Sequence, residues 1–410
     1  MLKKHLAVML LLFMAVGAFA QSIPSGTGRY EALGNSPFIL DAATDINNNP
    51  AWNCYYRDYA FGDIGRNVIN SFALSDQYAG VTFGVGKKLN LGMILNKRDD
   101  RWDLFNIDGW GGNNVGVSTP IVPFKGLIGY TASKNFHIAL APYIAMWSAD
   151  STTTGDTNAV NYTASSYAIG GTLGFGYIIK KGWVEGAVKF GMNKYKNEVT
   201  MPGNTTTYEN EGGIDLAANF RAWIYPKNNS KIAIVPVLGF STYSWDPKVT
   251  SGSVTMTGLN YSWLAFNGGI GLNWPVSDDI QLAGGVLAGY TGYKADSGSV
   301  TIKNTYFEAP RFHLSGETAI ADWLTARFGY MRSVTFTKNS NETGSVTVER
   351  TYTAASNYDQ TVSLGAGFHF GRFSIDATVS EQWLKQGINF VSGTQTDLFG
   401  VVSASYNFNE

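Results

Sequence analysis

Residues 361–380 read TVSLGAGFHFGRFSIDATVS. Val362, Leu364, Ala366, Phe368 and Phe370 occupy alternate positions, with Thr361, Ser363, Gly365, Gly367 and His369 between them. After Gly371-Arg372 the alternation resumes, Phe373, Ile375, Ala377 and Val379 set against Ser374, Asp376, Thr378 and Ser380. A period of two puts successive side chains on opposite faces of a strand. A two-residue turn led by glycine makes the pair a hairpin and sets Phe370 opposite Phe373, so both apolar stripes face the same way.

The same pattern recurs through most of the chain after residue 75. Leu264, Phe266, Ile270, Leu272 and Trp274 share one face of their stretch, and Ile280, Leu282, Val286, Ala288 and Tyr290 share one face of the next. The opposite faces carry Gly, Ala, Asn, Thr and Gln rather than the Lys and Glu of a soluble sandwich. Short turns at Lys87-Lys88, Ser133–Asn135, Lys181-Gly182, Pro226–Ser230, Pro275–Asp279, Ala321–Trp323 and Gly371-Arg372 alternate with long polar stretches such as residues 97–120 and 337–359. That alternation is the plan of an outer-membrane barrel, with short turns in the periplasm and long loops outside the cell. These turns and two periplasmic chain ends give sixteen strands if CYYRDYAF (54–61) opens the wall, and fourteen if one hairpin is misread. The final strand carries Val402, Ala404, Tyr406 and Phe408 on one stripe.

Composition agrees. The 410 residues include 47 Gly, 24 Phe, 22 Tyr and 11 Trp, and 15% are charged against about 25% in an ordinary soluble domain. Aromatic girdles and small inward residues explain that balance. The formal net charge of −1 offers nothing to a nucleic acid. Residues 1–20 read as a secretory signal peptide: Lys3 and Lys4, an apolar run from Leu6, then Ala18-Phe19-Ala20. No later stretch could span a bilayer as a helix. The sole cysteine, Cys54, has no partner for an intramolecular disulfide.

Residues 21–53 show neither a strand period nor a helical one. Pro24, Gly26, Gly28, Gly34 and Asn35 punctuate the segment, and Phe38-Ile39-Leu40 form an apolar patch before an Asx-rich run into Pro50. Apolar content at the mouth of a barrel points to packing inside the lumen. ALGNSPFILDAATDINNNPAWN (32–53), with Asn49-Pro50-Ala51 as its triplet, resembles the N-terminal region of the FadL family of outer-membrane transporters and their PorV-like relatives; FGDI (61–64) also resembles the PorV-like branch. The resemblance implies a fourteen-stranded barrel plugged by an N-terminal hatch and, in FadL itself, diffusion of hydrophobic molecules into the membrane through a side opening. In such a hatch Pro50 keeps the chain out of the wall, and Asn49 closes a tight turn.

Catalytic signals are weak. His313 shares a face with Arg311, Ser315 and Glu317, which turns it into the lumen, away from the lipid-facing surface an outer-membrane lipase needs. His369 is a further lumenal polar candidate, and His137 sits in a similar strand. Asp99, Asp100, Asp103 and Asp108 lack the ligand spacing of a calcium loop. Trp183, Trp223, Trp274 and Trp323 lie beside short turns, where a periplasmic aromatic girdle belongs. The expectation is an all-β, antiparallel transmembrane barrel over residues 54–410 with a hatch at 21–53. It is a non-enzyme without cofactor or metal, in contact with outer-membrane lipid and a hydrophobic small molecule. Its expected role is passive uptake; the alternatives are a scaffold for secretion-system proteins and a general diffusion porin.

Overall fold

The computed structural model describes residues 28–66, 78–98, 121–122, 124–153, 160–227, 230–257, 260–296, 300–343, 346–354, 360–379 and 399–408. The expected signal peptide and the four aspartates of the acidic loop lie outside the described residues. Sixteen antiparallel strands form one closed circuit. The first six are β1 (Tyr59–Arg66), β2 (Ala79–Val85), β3 (Leu89–Leu95), β4 (Phe124–Ser133), β5 (Phe136–Thr153) and β6 (Val160–Ile179). Then come β7 (Gly182–Met201), β8 (Asn204–Ile224), β9 (Ala233–Trp245 with Pro247–Ser251) and β10 (Val254–Thr257 with Asn260–Pro275). The circuit continues with β11 (Ile280–Asp296), β12 (Val300–Ala321), β13 (Leu324–Thr343) and β14 (Val346–Ala354 with Gln360–Phe370). It closes with β15 (Phe373–Val379) and β16 (Phe399–Asn407), whose Asn407 pairs with Tyr59 of β1. The seven turns read from the sequence all fall at one end, so their count yields the observed number, two strands more than the family resemblance implies.

The apolar stripes face outward. Leu314 is 49% exposed while Ser315 beside it is fully buried, and the same contrast sets Val362 and Leu364 against Ser363. Phe370 and Phe373 pair across the turn as the alternation requires. On β11 the outward apolar stripe runs from Ile280 to Tyr290. At about 3.3 Å per residue and a tilt of about 40°, that is a band roughly 25 Å tall, the height a barrel presents to lipid.

Much of what reads as polar loop is strand. Thr337–Thr343 and Val346–Tyr352 pair in register beyond the apolar band. There both faces meet water, so no apolar stripe marks the strand. Strands β5–β8, β12 and β13 reach 18 to 22 residues, whereas β1–β3, β15 and β16 have 7 to 9.

Inside the short-turn end lie helix α1 (Gly28–Ala32), helix α2 (Ala42–Asn48) and a 3-10 turn (Pro50–Cys54). Helices of five and seven residues complete at most two turns, too few for a 3.6-residue period to show. Asp41 caps α2: its Oδ1 accepts from the Thr44 amide at 3.0 Å, and Asp45 Oδ2 accepts from the Asp41 amide at 2.9 Å. Asn49 ends α2 and begins the 3-10 turn, its Oδ1 accepting from the Ala51 amide at 3.1 Å with Pro50 in the first position.

Candidate functional site

The hatch seats on wall positions that have no side chain. Phe38, fully buried, lies against Gly271 and Gly285; a Cβ on Gly285 would come within 2.5 Å of the Phe38 ring. Gly329 receives the backbone of Gly34, Gly174 receives Asn49, and Gly129 receives Asn53. The inward glycines of the alternating strands are thus sockets. Around them Leu33, Phe38 and Ile39 pack with Trp223, Val235, Val237 and Leu287, while Ile46 and Trp52 pack with Phe61, Ile94 and Leu127.

Two arginines tie this plug to the wall. Arg221 on β8 donates to Asp45 Oδ1 of α2 at 2.5 Å and to Glu185 Oε1 of β7 at 2.5 Å. Its remaining nitrogen reaches the Ile39 carbonyl at 3.1 Å. Glu185 Oε2 accepts from Asn49 Nδ2 at 3.1 Å and from the Trp52 indole. Arg29 on α1 grips Glu317 of β12 through two nitrogens at 2.7 and 3.2 Å and donates to the Leu40 carbonyl at 2.6 Å. Glu317 also accepts from Arg327 at 3.1 Å, and Arg327 reaches Asp376 at 2.5 Å. Two-pronged guanidinium–carboxylate contacts of this kind are directional as well as strong.

Electrostatics differ along the hatch. Burial, above all, pushes the Asp45 carboxyl up to about 7; Arg221 pulls it down and Glu185 adds to the push. For Arg29, burial works against the charge, yet Glu317 and Asp41 outweigh it and raise its pKa. Hydrogen bonds to hatch carbonyls complete the ring: Asn273 Nδ2 to Phe38 at 2.9 Å, Lys125 Nζ to Asn47 at 2.9 Å, and Asn219 Nδ2 to Asn48 at 3.2 Å. At the N-terminal edge, Ser403 accepts from the Gly28 amide at 2.9 Å and Thr378 donates to its carbonyl at 2.8 Å.

Among the residues singled out from sequence, Asn49, Pro50 and Ala51 lie at the centre of this contact, with Asn49 Nδ2 also donating to the Phe175 carbonyl at 3.0 Å. Glu317 joins the Arg29 clamp. His313 is buried with its ring edge-on to Phe38 at 6.2 Å, and Arg311 pairs with Glu308 at 3.0 Å. His369 lies apart from the hatch, bonded to Thr325 and Ser374 at 3.1 Å each. Trp274 and Trp323 face outward as the girdle requires. Trp183 and Trp223 do not: they share the inward parity of Glu185 and Arg221, and Trp183 packs against Trp52 with tilted rings 4.6 Å apart. Proximity to a turn sets depth, whereas parity sets the face. Arg221, Glu185, Arg29 and Arg327 escaped sequence reading. For the three wall residues the signal was charge at inward positions in facing register, since Arg221 pairs with Glu185 and Arg327 with Glu317.

No protein-family profile matches the chain, and no curated protein matches it in sequence. Among solved structures it is similar to the Pseudomonas putida toluene transporter TodX (9% identity, 94% of this chain and 99% of that chain, TM-score 0.41). It is also similar to a Pseudomonas aeruginosa FadL homologue (12% identity, 96% and 100% coverage, TM-score 0.41). The translocator domain of the autotransporter NalP from Neisseria meningitidis aligns at 9% identity over 85% and 88%, with a TM-score of 0.30.

Proposed function

We propose that this chain is an outer-membrane uptake barrel, a passive route for hydrophobic or small amphipathic compounds in which the hatch is the movable part. The observation that carries this reading is how the hatch is held. It seals the short-turn end through hydrogen bonds, ion pairs and side-chain packing into glycine sockets, without a covalent tie, Cys54 being a free thiol. Asn49, Pro50 and Ala51 act as its central anchor, while Arg311, His313 and His369 supply lumenal polarity. Above the plug the inward faces alternate small and polar groups with rings, Ala168 and Asn193 beside Tyr143 and Tyr195. Such a surface suits compounds with both an apolar body and a polar end. With short turns in the periplasm, both ends of the wall lie on that side. Among the described residues, no feature of the arrangement favours the secretion-scaffold or open-porin alternatives.

Proteoliposomes test the proposal. Vesicles carrying the barrel and loaded with albumin should take up a fluorescent amphiphile several-fold faster than protein-free vesicles, with little accompanying salt current. Uptake equal to that of empty vesicles would overturn it, and a steady large salt current would indicate a porin instead.

A further inference from the structure

A second pattern lies on the outer surface, away from the hatch. Lys196, Lys294 and Lys338 each stand fourteen positions up their strands from the short-turn end, counted from Gly182, Ile280 and Leu324. All three continue outward apolar stripes: Lys196 follows Phe190 and Met192, Lys294 follows Tyr290, and Lys338 follows Phe336. The basic tier therefore begins where the roughly 25 Å lipid-facing band ends. These three, and Lys303 on β12, each bridge to a carboxylate one step further from the membrane: Lys196 to Glu198 at 2.8 Å, Lys294 to Asp296 at 2.7 Å, Lys303 to Glu342 at 2.8 Å and Lys338 to Glu349 at 3.0 Å. Positive charge is nearest the bilayer on every one of these strands.

On β11–β13 the tier becomes a cluster. Lys294 and Lys303 are direct cross-strand partners, and Lys338 is offset from Lys303 by one register step. Like charges placed directly opposite each other destabilise a sheet. Exposed bridges to single carboxylates offset this weakly, and each ammonium has three hydrogens to donate. Below them Arg332 is exposed beside Phe312, within the apolar band.

We infer that Lys294, Lys303 and Lys338 form a binding site for the phosphate of an outer-leaflet glycolipid. The phosphate sits between the opposed ammoniums, and the acyl chains lie along Tyr290, Phe307, Phe312 and Phe336. This inference takes only the orientation of the barrel from the uptake proposal. The test is heat-induced unfolding of delipidated barrel in neutral detergent micelles, with and without bisphosphorylated lipid A, fully dephosphorylated lipid A, or inorganic phosphate. The expected result is a rise of several degrees with the bisphosphorylated lipid alone, abolished in K294Q/K303Q/K338Q and retained in K196Q. Because the replaced side chains are exposed, the triple variant should fold as the parent does. Equal stabilisation by the dephosphorylated lipid, an undiminished shift in the triple variant, or the same shift from inorganic phosphate alone would each overturn the assignment to a lipid phosphate.

Discussion

Arg29 and Arg221 clamp the hatch from opposite directions. Arg29 belongs to the plug and reaches a wall carboxylate; Arg221 belongs to the wall and reaches into the plug. Around Arg29 charges alternate from Asp41 through Arg29, Glu317 and Arg327 to Asp376, so Glu317 keeps one cation if the other leaves. Around Arg221 one cation serves two carboxylates, Asp45 and Glu185, at 3% and 4% side-chain exposure. The difference separates a redundant contact from a critical one: the geometry of each bond is similar, but what remains after its loss is not.

Arg221→Met is expected to have the largest effect. It strands two buried carboxylates, which costs about 3 to 5 kcal/mol, and should leave residues 28–54 open to hydrogen exchange while the barrel stays folded. Gly271→Ala comes next. Its methyl group meets the Phe38 ring and displaces it at a cost of about 1 to 3 kcal/mol, read in the same exchange experiment. Arg29→Met should cost less than Arg221→Met, about 1 to 2 kcal/mol, because Glu317 retains Arg327; equal losses would break the comparison between the clamps. The pH response sharpens it. Asp45 has an ordinary pKa of 3.8 and one of about 7 in the seated hatch, so between these values the seated form holds a proton that the released form lacks. Seating should therefore weaken as pH rises through that window and level off above it. Asp45→Asn should flatten the profile, and an unchanged slope would move the proton to another group. Asp41→Ala, which removes the cap of α2 and the 3.4 Å partner of Arg29, should cost about 1 kcal/mol and leave the Arg29–Glu317 and Arg221 contacts in place.

The wall was legible because lipid and lumen impose unlike chemistry on alternate residues, as at 361–380. Where water bathes both faces, as at Val346–Ala354, the alternation lost its meaning and strand read as loop. The hatch was legible by exclusion, as a segment with apolar residues but no period, and its short helices were not. Trp183 and Trp223 were placed on the wrong face because nearness to a turn was weighed above parity. The clamps needed long-range register: nothing near Arg29 in sequence announces Glu317, 288 residues away.

The contacts at Gly28 bear on the order of assembly. This residue, at the start of the hatch, bonds to Ser403 and Thr378, 375 and 350 positions downstream. The 3-10 turn, by contrast, packs on β4, β5 and β6. A chain made from its N-terminus can dock the later part of the hatch once the early strands exist, but α1 has no seat until the final hairpin is in place. The closing of such a long loop is slow to reward. Sealing the seam between first and last strands and seating the first helix are then one event, so the plug itself can report that the cylinder is complete.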